Sequence, residues 1–182
     1  MIFMPQPFVP IILGSNSDLD REDLHIPKIG SRLAFWNIDY VLRVCSADKY
    51  SRKLEAICEE YDNNPDLWVV YITCAGRRDA LSGGTAGNYT SKPVIACPPS
   101  DKEYGPIVHL SSHYLPSDDP VLFCPDPKNA ADSAARIFGL YNEELATRLT
   151  QRKIKVREGI DKDDKAVMGI RWDKDGNLIS GD

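Results

Sequence analysis

Short, continuous apolar runs recur along this chain at regular intervals: FVPIIL at 8–13, DYVLRVC at 39–45, LWVVYITC at 67–74, PVIAC at 93–97 and VLFC at 121–124. Strands that are apolar throughout suit a parallel sheet covered on both faces, whereas half-solvated strands alternate. Segments of helical period lie between the runs. In KLEAICEEY, Leu54, Ile57, Cys58 and Tyr61 fall at i, i+3, i+4 and i+7 and form one apolar face. The segment AADSAARIFGLYNEELATRL, 130–149, keeps that period and predicts one long helix. Strands and helices alternating at this spacing predict βαβ units with right-handed crossovers. The expected fold is therefore α/β: one three-layer domain over residues 8–152, with a five-stranded parallel sheet, flavodoxin-like in its order 2-1-3-4-5, and a long C-terminal helix. Pro27 falls inside the first helical segment and either starts that helix late or kinks it. Residues 153–182 form a charged tail of weak period, read as a solvated extension, with packing on a neighbouring subunit as the alternative. Within it, Asp175-Gly176-Asn177 is placed to turn a small hairpin.

Composition narrows the class of function. The formal net charge is −5 and no basic stripe stands out, which argues against a nucleic-acid partner. Cys45, Cys58, Cys74, Cys97 and Cys124 are odd in number and scattered, which fits a reducing compartment better than a disulfide framework or a zinc site. With only His25, His109 and His113 available, a multi-histidine metal centre is not expected. The start MIFMPQPFVPIILG lacks the basic region of a signal peptide, and no apolar run reaches the length of a membrane span. The expectation is a soluble cytoplasmic protein.

In open α/β sheets, ligands bind outside the carboxyl ends of the strands, where the strand order reverses. The segments emerging there are Gly14-Ser-Asn-Ser-Asp18 and Cys74-Ala-Gly-Arg-Arg78, with Ser46-Ala-Asp-Lys49 beside them. Gly14 permits a tight turn, Ser15 and Ser17 offer hydroxyls for a phosphate, and Asp18 offers a carboxylate for sugar hydroxyls. Ser-x-Ser-Asp is equally an ordinary helix cap, and taken alone the cap is the preferred reading. Lys49 alone reads as a solvated lysine, and ALSGG at 80–84 as a flexible loop. Only their occurrence together and in order is specific.

That order resembles a known family. GSNSD, SADK, YITCAGRRDALSGG, PVIACPP, SSHYLPS and PKNAADSAARIFGLYNEEL are similar to the PurE-type aminoimidazole ribonucleotide carboxylases, in the class II variety that uses carbon dioxide directly. The likeness runs over roughly residues 8–150. It implies an oligomeric carboxy-lyase, a tetramer or octamer with sites near subunit boundaries. Its substrates would be a ribonucleotide monophosphate and carbon dioxide, with neither biotin nor a metal in the chemistry. By position, Ser15, Ser17 and Asp18 match the phosphate and ribose contacts. Ser46 and Ala47 match the loop over the base, and Lys49 the basic phosphate partner. Cys74, Ala75 and Gly76, with Arg77 and Arg78 following, match the wall against the imidazole. Leu81, Ser82 and Gly83 match the loop that closes the site.

One departure bears on the chemistry. The family loop reads Ser-Ala-His-Lys or Ser-Ala-His-Arg, and here Asp48 stands in the histidine's place. That histidine is the group the resemblance assigns to moving the ring proton, and imidazole, titrating near neutrality, serves as acid or base. A carboxyl group of ordinary acidity, near 3.9, is protonated in about one molecule in a thousand at pH 7, a penalty of about 4 kcal/mol for acting as acid. Its charge also opposes the product carboxylate, unless burial raises its pKa. The class II pattern Ala-Gly-Arg-Ser-Asn becomes Ala75-Gly76-Arg77-Arg78-Asp79. Ser-Ser-Leu-Arg-Met-Pro-Ser-Gly becomes Ser111-Ser112-His113-Tyr114-Leu115-Pro116-Ser117-Asp118. His113 is read as a residue of a peripheral helix, with replacement of the lost imidazole as the alternative, and His25 and His109 as surface or packing residues.

Three functions remain in view. The first is an aminoimidazole ribonucleotide carboxylase of purine biosynthesis, in which Asp48, aided by Lys49 and Arg78, handles the proton, with Ser46 beside them. The second is a carboxylase, decarboxylase or related lyase for another heterocyclic ribonucleotide. The third is a non-catalytic nucleotide-binding or assembly subunit.

Overall fold

The computed structural model describes residues 4–19, 23, 25–76, 80–99 and 109–179. The first strand, β1 (Gln6–Leu13), is the hub of a parallel sheet. On one side it pairs with β2 (Asp39–Val44), so that Leu13 lies opposite Val44. On the other it pairs with β3 (Leu67–Val69) and β4 (Tyr71–Cys74), so that Leu13 also lies opposite Cys74. The sheet continues through β5 (Val94–Ala96) to β6 (Val121–Phe123), in the order β2-β1-β4-β5-β6. This is the expected order 2-1-3-4-5 once β3 and β4 are taken together. The single run LWVVYITC divides because Pro10 of β1 falls opposite its middle: Phe8 pairs with Val69 and Ile11 with Ile72 at constant register. Proline has no N–H to give to the ladder, so the pairing lapses there.

The central strands β1, β4 and β5 are buried on both faces, which is why they carry apolar side chains at successive positions. Ile11, Leu13, Ile72, Cys74, Ile95 and Cys97 face α1 (His25–Phe35) and α5 (Pro127–Phe138). Ile12, Tyr71 and Val94 turn the other way, onto α2 (Ser51–Asp62) and α3 (Ala80–Gly84). The α2 face is the one its spacing predicts: Leu54, Ile57, Cys58 and Tyr61 are buried. Pro27 lies in the first turn of α1, where its missing N–H has no intrahelical partner to lose, so the helix is not broken.

The segment expected as one helix over 130–149 is two. α5 ends at Phe138, and Asn142 caps a new helix, α6 (Glu143–Val167), by accepting from the Leu145 N–H at 2.9 Å. The break lets the two helices fold against each other. A Cβ on Gly139 would come within 2.9 Å of Leu149 Cδ1, so a larger residue there would displace the Leu149 side chain. α6 runs unbroken through residue 152, the expected end of the domain, and Leu145 is its one buried side chain among the described residues. Beyond it, β7 (Arg171–Trp172) and β8 (Leu178–Ile179) form an antiparallel hairpin. A fourth short helix, α4 (Leu110–His113), precedes β6.

α1 and α5 are joined by one carboxylate. Asp132 accepts from Arg32 Nε at 2.6 Å and Nη2 at 2.8 Å, and from Trp36 Nε1 at 2.6 Å. Trp36 is only 3% exposed, so deleting the carboxylate strands a buried indole N–H as well as a guanidinium. Asp132→Ala is expected to lower the unfolding free energy by about 2–3 kcal/mol, read from urea midpoints. A change below about 0.5 kcal/mol would show that water replaces the carboxylate without loss.

Candidate active site

The neighbouring strands β2, β1 and β4 end side by side, and their exits carry most of the residues singled out above. Gly14 N–H donates to the Cys74 carbonyl at 3.0 Å, and Cys45 N–H donates to the Leu13 carbonyl at 2.9 Å. Gly14 thus lies between the exits of β2 and β4. A Cβ there would meet Ala75 Cα, Asp18 Oδ2 and the Cys74 carbonyl oxygen, each at 3.8 Å. These are ordinary van der Waals distances, so the protein's own packing does not demand glycine at this position.

After Gly14 the chain makes a single 3-10 turn, Asn16–Asp18, closed by a reciprocal cap. Ser15 N–H donates to Asp18 Oδ2 at 2.9 Å, and Ser17 N–H donates to Ser15 Oγ at 3.3 Å. The Ser15 and Ser17 hydroxyls lie 3.0 Å apart and are exposed, while Asp18 is buried. Capping, one of the two roles read from GSNSD, is therefore present. It also points two hydroxyls to solvent at the strand end, where an anion could be held.

The exit of β2 is a tight turn. Lys49 N–H at 3.2 Å and Tyr50 N–H at 2.8 Å both donate to the Ser46 carbonyl, and α2 starts directly after. Ser46 and Ala47 are half-buried, whereas Asp48 and Lys49 are exposed at the tip. At the β4 exit Cys74 is buried and Ala75 and Gly76 are half-buried. Arg77, Arg78 and Asp79 lie outside the described residues.

Leu81, Ser82 and Gly83 form a helix and not the flexible loop expected from ALSGG. All three are buried in α3, which continues into a π-helical turn, Thr85–Tyr89. The glycines serve packing against the chain that follows α4. A Cβ on Gly83 would lie 3.2 Å from Leu115 Cδ2, and one on Gly87 would lie 1.7 Å from Asp119 Oδ1. The SSHYLPS segment therefore lies against α3. His113 is exposed on the peripheral helix α4, with its ring 5.3 Å from that of Phe123.

Sequence reasoning missed a polar cluster buried beside these exits. His25, from the first turn of α1, is 4% exposed, and its Nε2 lies 2.9 Å from the Cys97 carbonyl oxygen and 3.3 Å from Cys97 Sγ. Cys97 directly follows β5, as Cys74 closes β4, and contact with Cys74 together with burial pushes the Cys97 thiol far up. The available signal was that four of the five apolar runs end in cysteine. Burial opposes a charged His25 ring, but its bonds to Cys97 and the charge of Asp23 outweigh burial and raise its pKa above 6.5. A group whose pKa is raised on folding stabilises the fold fully below its unfolded pKa, and that contribution fades as pH rises through the folded pKa. The stability lost in His25→Gln is therefore expected to be larger at about pH 6 than at about pH 9, measured by urea unfolding. A loss that is equal at both pH values would mean that the ring does not titrate between them.

The same arrangement of strands and exits occurs in proteins already known. A crystal structure of Treponema denticola PurE superposes with a TM-score of 0.82 at 35% identity, covering 90% of this chain and 99% of that one. The phosphoribosylaminoimidazole carboxylase of Archaeoglobus fulgidus is 40% identical over 157 residues, 86% of this chain and 83% of the relative. The enzyme of the same name from Treponema denticola is 39% identical over 143 residues, 78% of this chain and 85% of the relative. The family model described as AIR carboxylase matches residues 8–159, taking in every strand exit described above, and the chain belongs to that family.

Proposed function

We propose that this protein is an aminoimidazole ribonucleotide carboxylase, a carboxy-lyase that adds carbon dioxide reversibly to the imidazole carbon of its substrate. The observation that carries the reading is the convergence of GSNSD, SADK and CAG on three adjacent strand ends in a chain of this family. Ser15 and Ser17 present hydroxyls to the phosphate, with Lys49 as its cation, and Asp18 takes the ribose hydroxyls. Ser46 and Ala47 cover the base, and the backbone of Cys74, Ala75 and Gly76 forms a flat wall, since small residues let a ring approach main chain. α3 supports this wall from behind through Leu81, Ser82 and Gly83, and Arg77 and Arg78 complete the substrate contacts.

In the forward direction the ring carbon forms a bond to carbon dioxide and becomes tetrahedral, then loses its proton to recover aromaticity. In reverse, an acid protonates that carbon and the carbon–carbon bond breaks to release carbon dioxide. Asp48 is the proton-handling group in this reading, beside the cationic Lys49. Residues at the tip of a short turn can reach a ligand held over the strand ends without moving the sheet. The enzyme works as a homo-oligomer in the cytoplasm and takes carbon dioxide itself, as in class II.

The test is decarboxylation of carboxyaminoimidazole ribonucleotide, followed optically, with a thermal shift on the same nucleotide. Turnover with stabilisation is the expected result. Stabilisation without turnover would leave a binding protein, and neither would move the search to ribonucleotides of other bases.

A further inference from the structure

The face that α6 turns toward the body changes along its length from apolar to cationic. Leu145 is buried and Leu149 packs against the core's edge. Arg152, Lys153 and Arg157 then follow Leu149 at i+3, i+4 and i+8, on the same face of the helix. Across a cleft of about 280 Å³ they meet Arg32 of α1 and Asp132 and Arg136 of α5. α1 and α5 both run back from the carboxyl ends of the strands, and β2 starts shortly after α1 ends. The cleft therefore lies toward the amino ends of the strands, away from the exits that carry GSNSD, SADK and CAG.

The charge in this cleft is not balanced. Asp132 is its one carboxylate among the described residues, and Arg32 and Trp36 already hold it. Arg136, Arg152, Lys153 and Arg157 form no hydrogen bond or ion pair among the described residues. Lys153 and Arg157 stand four apart on one helix, a spacing at which like charges weaken it. Four unpaired cations around one hollow are unexpected in a chain whose formal net charge is −5. An anion held between them turns their repulsion into attraction. A phosphate group carries about −1.5 to −2 at pH 7, so a chain of two or three matches this charge where a single phosphate does not. The anion must also be short. Past Arg157 the helix carries Asp161, Asp163 and Asp164, so a polyanion running on along α6 would meet carboxylates.

We propose that the cleft between α1, α5 and α6 is a second binding site, for a short polyphosphate chain of the kind that nucleoside di- and triphosphates carry, gripped by Arg136, Arg152, Lys153 and Arg157. It does not rest on the carboxylase reading. The test is calorimetric titration of the full chain with inorganic tripolyphosphate and with ATP, and with inorganic phosphate, citrate and a short single-stranded RNA for comparison. It is run on the wild type and on two variants, Arg136→Gln with Arg157→Gln and Arg152→Gln with Lys153→Gln. Both variants are expected to melt no lower than the wild type, since the charges removed have no partner. Tripolyphosphate is expected to bind the wild type, and each variant at least about 10-fold more weakly. The order of ATP and tripolyphosphate then tells whether a nucleoside takes part in recognition. No binding of tripolyphosphate by the wild type, or equal binding by the variants, overturns the site. Phosphate, citrate or RNA bound more tightly than tripolyphosphate overturns the assignment to a short polyphosphate.

Discussion

Asp48→His is expected to raise the rate of decarboxylation of carboxyaminoimidazole ribonucleotide at pH 7 about 100-fold. The step needs a proton delivered to the ring carbon. A carboxyl and an imidazole of ordinary acidity differ at pH 7 by a factor of about 300 in the fraction that carries a proton to give. Removing a carboxylate also removes a negative charge beside the carboxylate of the bound nucleotide. The exchange keeps the two backbone bonds of the turn, from the Lys49 and Tyr50 N–H groups to the Ser46 carbonyl, and the residue at 48 is exposed. The measurement is kcat and KM for both proteins. A wild type as fast as the variant, or faster, would mean that Asp48 is a competent acid in its own setting and that the proton argument is wrong. A wild type without turnover beside an active variant would mean that the scaffold binds the purine intermediate and Asp48 withdraws it from this reaction.

The parts of this structure that could be read in advance are those in which each residue answers to a repeating environment. A strand buried on both faces, such as Ile11-Ile12-Leu13, needs an apolar group at every position, and a helix such as α2 needs one every third or fourth. The strand order fixes which exits are neighbours, so the grouping of Gly14, Ser46 and Ala75 could be reasoned from order alone. What escaped were features set by single residues or by contacts between distant ones. Pro10 divides a strand it does not belong to. Asn142 turns one helical period into two helices by a single side-chain bond. ALSGG looks like a loop because glycine is a poor helix former, but Gly83 packs against Leu115, far along the chain. The outer half of α6 has too few apolar residues for a period to stand out. Its lysines, arginines and glutamate favour helix one residue at a time, which a search for amphipathic faces passes over.

Asp18 is where the two readings of GSNSD meet, and two substitutions separate them. Its carboxylate accepts the Ser15 N–H at 2.9 Å, so it already has a structural role, and it is 7% exposed. Asparagine keeps an oxygen for that N–H and removes the charge. Asp18→Asn is therefore expected to unfold within about 0.5 kcal/mol of the wild type, since Asn and Asp are interchangeable in a cap. Hydrogen bonds from sugar hydroxyls to a carboxylate are worth about 1.5–3 kcal/mol, so the same variant should bind the ribonucleotide about 10- to 100-fold more weakly by calorimetry. Asp18→Ala removes the acceptor too and should add a stability loss of about 1 kcal/mol to the binding defect. If Asp18→Asn binds as tightly as the wild type, the carboxylate is a cap and nothing more, and the ribose must be held elsewhere. If Asp18→Asn loses both binding and stability, the charge itself holds the turn, and the affinity loss reports the geometry of Ser15 and Ser17, not a contact to the sugar. Only loss of binding with stability kept assigns the carboxylate to the ligand. That outcome is expected because asparagine keeps an acceptor for the Ser15 N–H, whereas a ribose with two hydroxyl donors is best met by a charged pair of oxygens.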